Sequence, residues 1–119
     1  MPKPGDVGRD AENRVRDYLI SHGYEYSRRI RQTGRLDEGD VILGEKYPIV
    51  VEVKGGQKND KNIWAHGREL LDEVKNAGAE TGFVVVKKAR SGNPAEWMAC
   101  IPLEFYLNTQ FKDLYPPGR

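Results

Sequence analysis

The sequence contains one cysteine, Cys100, and two histidines, His22 and His66. A lone cysteine excludes an intrachain disulfide and a cysteine-built zinc site, and two histidines are too few for a histidine-rich one. Any metal must therefore be held by carboxylates, which favours hard cations such as Mg²⁺ or Mn²⁺. No apolar run approaches the ~18 residues of a membrane span, the longest stretch being Phe83 to Val86. The opening residues, MPKPGDVGRD, carry no apolar core of the signal-peptide kind. With the sparse cysteine, this gives the expectation of a cytoplasmic protein with no membrane partner. Neither a P-loop pattern nor a dinucleotide-binding glycine pattern occurs. There is no excess of charge either: Lys plus Arg is 19, Asp plus Glu is 18, and the net charge is +1. That balance argues against a simple cationic binder and leaves room for separate acidic and basic patches.

What is present suits one folded domain. The 119 residues, 31% charged and 38% hydrophobic, predict a single domain over 1–119 with loose ends at 1–6 and 115–119. Apolar positions Ala11, Val15, Tyr18 and Leu19 recur at helical spacing, predicting a helix from Gly8 to His22 that starts near Asp6 or Asp10 and stops at Gly23. Tyr24 to Arg31 alternates as a strand with a basic outer side. Asp40 to Leu43 and Pro48 to Lys54 form two β runs joined as a hairpin. Ile63, Gly67, Leu70, Leu71, Val74 and Ala77 share one face of a second helix ending at Gly78. Gly82 to Lys88 reads as a central strand, Glu96 to Ile101 as a last strand, and Pro102 to Phe111 as a short helix or turn. The order α-β-β-β-α-β-β-α predicts an α/β fold, a mixed central β-sheet flanked by helices.

The hairpin carries the chemistry. Along Pro48 to Lys54, Ile49, Val51 and Val53 point one way and Val50, Glu52 and Lys54 the other. Pairing the strands around the turn sets Ile42 opposite Val50 and Asp40 opposite Glu52, where Cβ atoms lie ~4.5–5.5 Å apart. Two carboxylates that close repel unless a proton or a cation lies between them. Phosphodiester hydrolysis suits such a site. Carboxylates hold one or two Mg²⁺ ions that generate the nucleophile and neutralise charge on the leaving oxygen, and a lysine orients or helps deprotonate the attacking water or stabilises the phosphorane. A salt bridge from Lys54 to Asp40 or Glu52 at a sheet end accounts for the same three residues.

The pair Gly39–Asp40, followed by Glu52–Val53–Lys54, resembles the signature of the PD-(D/E)xK nuclease superfamily, with Gly39 in place of the proline. The element order matches that superfamily's restriction-endonuclease-like core, αβββαβ. Glu12 lies where its archaeal and phage Holliday junction resolvases carry a glutamate. The stretch from Trp64 through NAGAETGFVVVKK and AEWMACIPLEFYL is similar to small phage-encoded resolvase-like nucleases of actinobacterial viruses. The resemblance implies a Mg²⁺-dependent endonuclease, with Mn²⁺ able to substitute, that acts on Holliday junctions or related branched DNA in recombination and repair. It implies a phage-encoded protein working in the host cytoplasm. Asp40 and Glu52 would hold the metal with the Val53 backbone carbonyl, Glu12 would assist directly or through water, and Lys54 would act on the nucleophile or the transition state. A junction needs two symmetric cuts and one chain has one site, so the resemblance implies a homodimer. The superfamily also contains nicking, restriction and repair enzymes acting on duplex or flap DNA, and a non-catalytic DNA-binding module stands as the alternative from another class.

The remaining features fall around that site. Arg28, Arg29, Arg31 and Arg35 precede it and Lys58, Lys61 and Arg68 follow it. With Arg9 they are, as a group flanking the acids, candidate phosphate contacts, although each alone reads more readily as solvated charge. The local alternative for Glu12 is an i,i+4 pair with Arg16. Asp37 and Glu38 read as loop acids beside Asp40. Glu69 and Glu73, one turn apart on the second helix, read as a solvated face, and His66 as a half-exposed helix residue. Trp64 reads as a core or interface anchor, Trp97 and Phe83 as core, and Cys100 as an apolar filler.

Overall fold

A computed structural model of the chain describes residues 4–24, 27–29, 41–43, 49–55 and 62–111. Its element order is α1 (Pro4–Ser21), β1 (Arg28–Arg29), β2 (Val41–Leu43), β3 (Ile49–Lys54), α2 (Ile63–Asn76), β4 (Thr81–Val86), β5 (Met98–Cys100) and α3 (Leu103–Tyr106). This is the expected order. The strands form one sheet in the order β1-β2-β3-β4-β5. β3 and β4 run parallel, with α2 as the crossover between them, and the other pairs are antiparallel. The fold is α/β with a mixed central sheet and helices on both faces.

Strand alternation divides the core in two. Val51 and Val53 of β3, with Val41, Val85 and Trp97, pack under Ala11 and Val15 of α1. Val50 of β3 and Val84 of β4 pack under Leu70 and Val74 of α2. The hairpin register sets Ile42 opposite Val50 and Val41 opposite Val51, as the turn pairing predicted. Every apolar residue of β3 has a helix over it, so a charged residue on that strand must face one of the helices.

Both long helices stop where glycine was expected to stop them. Gly23 (φ +96°) and Gly78 (φ +65°) take left-handed backbone. At each end the two closing bonds of a Schellman cap form: Tyr24 N–H to the Leu19 carbonyl with Gly23 N–H to that of Ile20, and Ala79 N–H to Val74 with Gly78 N–H to Lys75.

Boundaries differ where local chemistry outweighs periodicity. α1 begins at Pro4 rather than Gly8, because proline at a first helical turn forfeits no needed N–H. Asp10 sits inside the helix and binds Arg14 instead of capping. Ser27 donates through its backbone N–H and its hydroxyl to the Tyr24 carbonyl. The described part of the strand is Arg28–Arg29. Pro94–Glu96 forms a 3-10 turn capped by Asn93, so β5 starts at Met98.

Trp97 is buried at 8% exposure, as expected of a core residue, whereas Trp64 is 84% exposed. Trp64 stands at the start of α2, on the rim of a groove of about 470 Å³ whose walls include Leu71, Ile101 and Leu103. A ring that buries so little cannot anchor the core. Trp64→Ala should change stability by no more than about 0.5 kcal/mol, measured by urea denaturation, and a loss of several times that would show the ring to be packed in solution. Among the described residues, no helix is long and apolar enough to cross a membrane.

Candidate active site

Glu52 and Lys54 project from β3 on the face that α2 covers, one alternation beyond the core residue Val50. Lys54 Nζ lies 3.0 Å from Glu52 Oε1 and 3.1 Å from Glu69 Oε2, so its ammonium bridges the strand and the helix. Glu52 is buried at 3% exposure and Glu73 is fully buried. One carboxylate oxygen each from Glu52, Glu69 and Glu73 lie within 4.8 Å of one another. Glu52 Oε2 is buried and accepts no hydrogen bond from any described residue.

Partial burial depresses the Lys54 pKa, and the adjacent Glu52 and Glu69 carboxylates more than reverse that, so the net shift is upward. The two carboxylates thus favour the charged form of the amine.

Helical spacing explains the two glutamates on α2. The buried residues are His66, Leu70, Glu73 and Val74, a stripe turned slightly from the apolar set. Leu71, on the other flank, is 44% exposed. The solvated-face expectation therefore fails for Glu73, and His66, expected to be half-exposed, is likewise buried, because the centre of the helix–sheet contact falls at 70 and 74 and draws in both flanking positions at 66 and 73. The signal was present as a carboxylate one residue from Val74 and three from Leu70, within a 3-4 repeat. Glu69 is half-exposed at the edge of that stripe.

The other expected residues are distributed around this centre. Glu12 is on α1, over the opposite sheet face, and is not among the three clustered glutamates. Its Oε2 accepts from Arg29 Nη2 at 2.6 Å and Nε at 3.1 Å, a half-buried fork from β1. Arg16, its local alternative partner, binds Asp17. Arg29 is thereby committed to a carboxylate. Arg29→Ala should lower stability by about 1–2 kcal/mol, since it strands a half-buried charge, and guanidinium unfolding would measure this. A change near zero would mark the pair as energetically silent. Arg28 lies in β1 opposite Ile42, and Arg9 and Arg68 are exposed on α1 and α2. The Val53 side chain packs under α1. Asp40, Arg31, Arg35, Lys58 and Lys61 lie outside the described residues, as do Asp37 and Glu38.

The donor set fits a hard divalent cation. It is all carboxylate, one oxygen is buried without a partner, and the one described ammonium within salt-bridge distance engages Glu52 through the other oxygen.

The fold is shared with a solved structure. The chain superposes on the 1.6 Å structure of Archaeoglobus fulgidus Hjc, a Holliday junction resolvase from an archaeal hyperthermophile, with a TM-score of 0.54 and 18% sequence identity over 79% of this chain and 76% of that one. At that identity the likeness is one of fold. No protein-family model and no curated protein matches the chain.

Proposed function

We propose that the chain is a Mg²⁺-dependent DNA endonuclease that resolves four-way junctions or related branched DNA by phosphodiester hydrolysis. The observation that carries this reading is the pairing of buried Glu52 with part-buried Lys54 on β3, with a carboxylate oxygen left unpartnered among the described residues, in a fold shared with a junction resolvase.

Asp40 and Glu52 hold the cation, with the Val53 carbonyl as a further ligand. The bound cation supplies Lewis-acid charge to the phosphate and lowers the pKa of an attacking water. Lys54, charged at neutral pH, orients the nucleophile and offsets negative charge gathering on the phosphate. Glu12, fixed by Arg29, assists through water. Arg9, Arg28, Arg31, Arg35, Lys58, Lys61 and Arg68 contact phosphates on either side of the scissile bond. Two symmetric cuts require two chains, so the active form is a homodimer. Such an enzyme works in the cytoplasm, that of a host if the protein is phage-encoded.

The test uses a synthetic four-way junction, linear duplex and flap DNA, each with Mg²⁺ or EDTA, and Asp40→Asn alongside. Paired Mg²⁺-dependent cuts confined to the junction and lost in the variant are expected. Equal cutting of all three substrates would replace junction selectivity with a nicking or repair role. Binding without cutting would make the chain a DNA-binding module. Mass in solution checks the dimer.

A further inference from the structure

Glu52 and Lys54 stand two residues apart on the same face of one strand, so they move together. An ammonium with no other anchor would settle over its neighbouring carboxylate and compete with a divalent cation for it. Here a second anchor exists on a different element. Glu69 Oε2, on α2, lies 3.1 Å from Lys54 Nζ, nearly matching the 3.0 Å to Glu52 Oε1. The ammonium engages one oxygen of Glu52, while the other, Oε2, is buried with no hydrogen-bond partner among the described residues. The Glu69 side chain is 40% exposed, so this pair contributes little to folding and its placement calls for another reason.

We propose that Glu69 is the positioning residue for Lys54, retaining the ammonium beside the scissile phosphate when Glu52 takes the cation. The proposal rests on the nuclease reading above. Glu69 works by sharing the lysine with Glu52: the helix supplies a second carboxylate that keeps the charge close while leaving Glu52 Oε2, the oxygen the cation needs, unengaged. The effect of Glu69 must then disappear when Lys54 is absent, whereas a glutamate acting as a cation ligand in its own right would matter with or without the lysine.

A double-mutant cycle separates these. Wild type, Glu69→Gln, Lys54→Met and the double variant are compared in single-turnover cutting of a four-way junction at saturating Mg²⁺. Mn²⁺ binding to the DNA-free protein is measured by calorimetry on the same four. Glu69→Gln should slow cutting about tenfold in the wild-type background and change it by less than about twofold in Lys54→Met. Mn²⁺ affinity should fall on Glu69→Gln only while Lys54 is present. Equal factors in both backgrounds, or no effect in the wild-type background, would overturn the proposal. Thermal unfolding run alongside identifies a folding defect, which would lower activity in both backgrounds alike and count against it. If the wild type cuts no DNA at all, the nuclease reading fails, and the calorimetric cycle still decides whether Glu69 acts through Lys54.

Discussion

Glu52→Gln is expected to lower junction cutting at saturating Mg²⁺ by about a thousandfold or more, with DNA binding in EDTA retained. Glutamine keeps the shape of the side chain and removes its charge. At 3% exposure Glu52 has almost no water to fall back on, so the loss falls directly on what its oxygens can bind. A neutral amide oxygen holds a hard cation less tightly than a carboxylate does. Lys54 would keep its contact with Glu69, which leaves the ammonium charged and near its place. Removing one carboxylate from a cluster of three within 4.8 Å also relieves like-charge repulsion. Stability should therefore hold or rise, opposite to the activity. Single-turnover gel assays and chemical denaturation on the same preparation measure both. A rate within tenfold of wild type would remove Glu52 from the cation's coordination. A collapse in stability would make its burial structural rather than functional.

The part of the site that was legible in the sequence is the part built by one strand. Two-residue alternation sorts Val50, Glu52 and Lys54 from Ile49, Val51 and Val53, and counting back from the turn sets Ile42 opposite Val50, as found. Both signals are local and nearly free of tertiary context. What was not legible depends on how a helix rolls on the sheet. An apolar count on α2 places Leu71 inside and Glu73 outside, and the packing reverses them, because the face is centred by Val50 and Val84 beneath Leu70 and Val74. A buried glutamate is stabilised by what surrounds it in space, so its place in the 3-4 repeat beside Leu70 and Val74 does not by itself tell burial from exposure. The Glu12–Arg29 fork joins a helix to a strand 17 residues away in sequence, and the local pattern offered Arg16 instead. Of the two roles expected of Trp64, core anchor and interface anchor, its exposure removes the first: it lines a surface groove shared with Val84 and Cys100 of the sheet.

Gly82→Ala should destabilise the protein by about 3 kcal/mol and should damage the site in whatever fraction still folds. A Cβ at this position would stand 2.5 Å from the Val50 carbonyl oxygen and 3.0 Å from both Leu70 Cδ1 and Val74 Cγ2. The first contact is with backbone held in register: Val50 and Gly82 are partners in the parallel β3–β4 pair. It cannot be relieved by turning a side chain. Either β3 withdraws from β4, or α2 lifts from the sheet with Leu70 and Val74. Glu52 and Lys54 ride on the first of these elements and Glu69 and Glu73 on the second. Either movement therefore alters the spacing between the strand's ammonium and the helix's carboxylate, which stands at 3.1 Å. The glycine's missing side chain is what lets the helix approach closely enough to place two carboxylates over β3. Denaturant unfolding should show the lower stability. Cutting measured well below the variant's midpoint should remain reduced, since the folded molecules carry the displaced helix. A variant within about 1 kcal/mol of wild type and fully active would mean that helix and strand separate at no cost, and the close approach at Gly82 would then have no part in building the site.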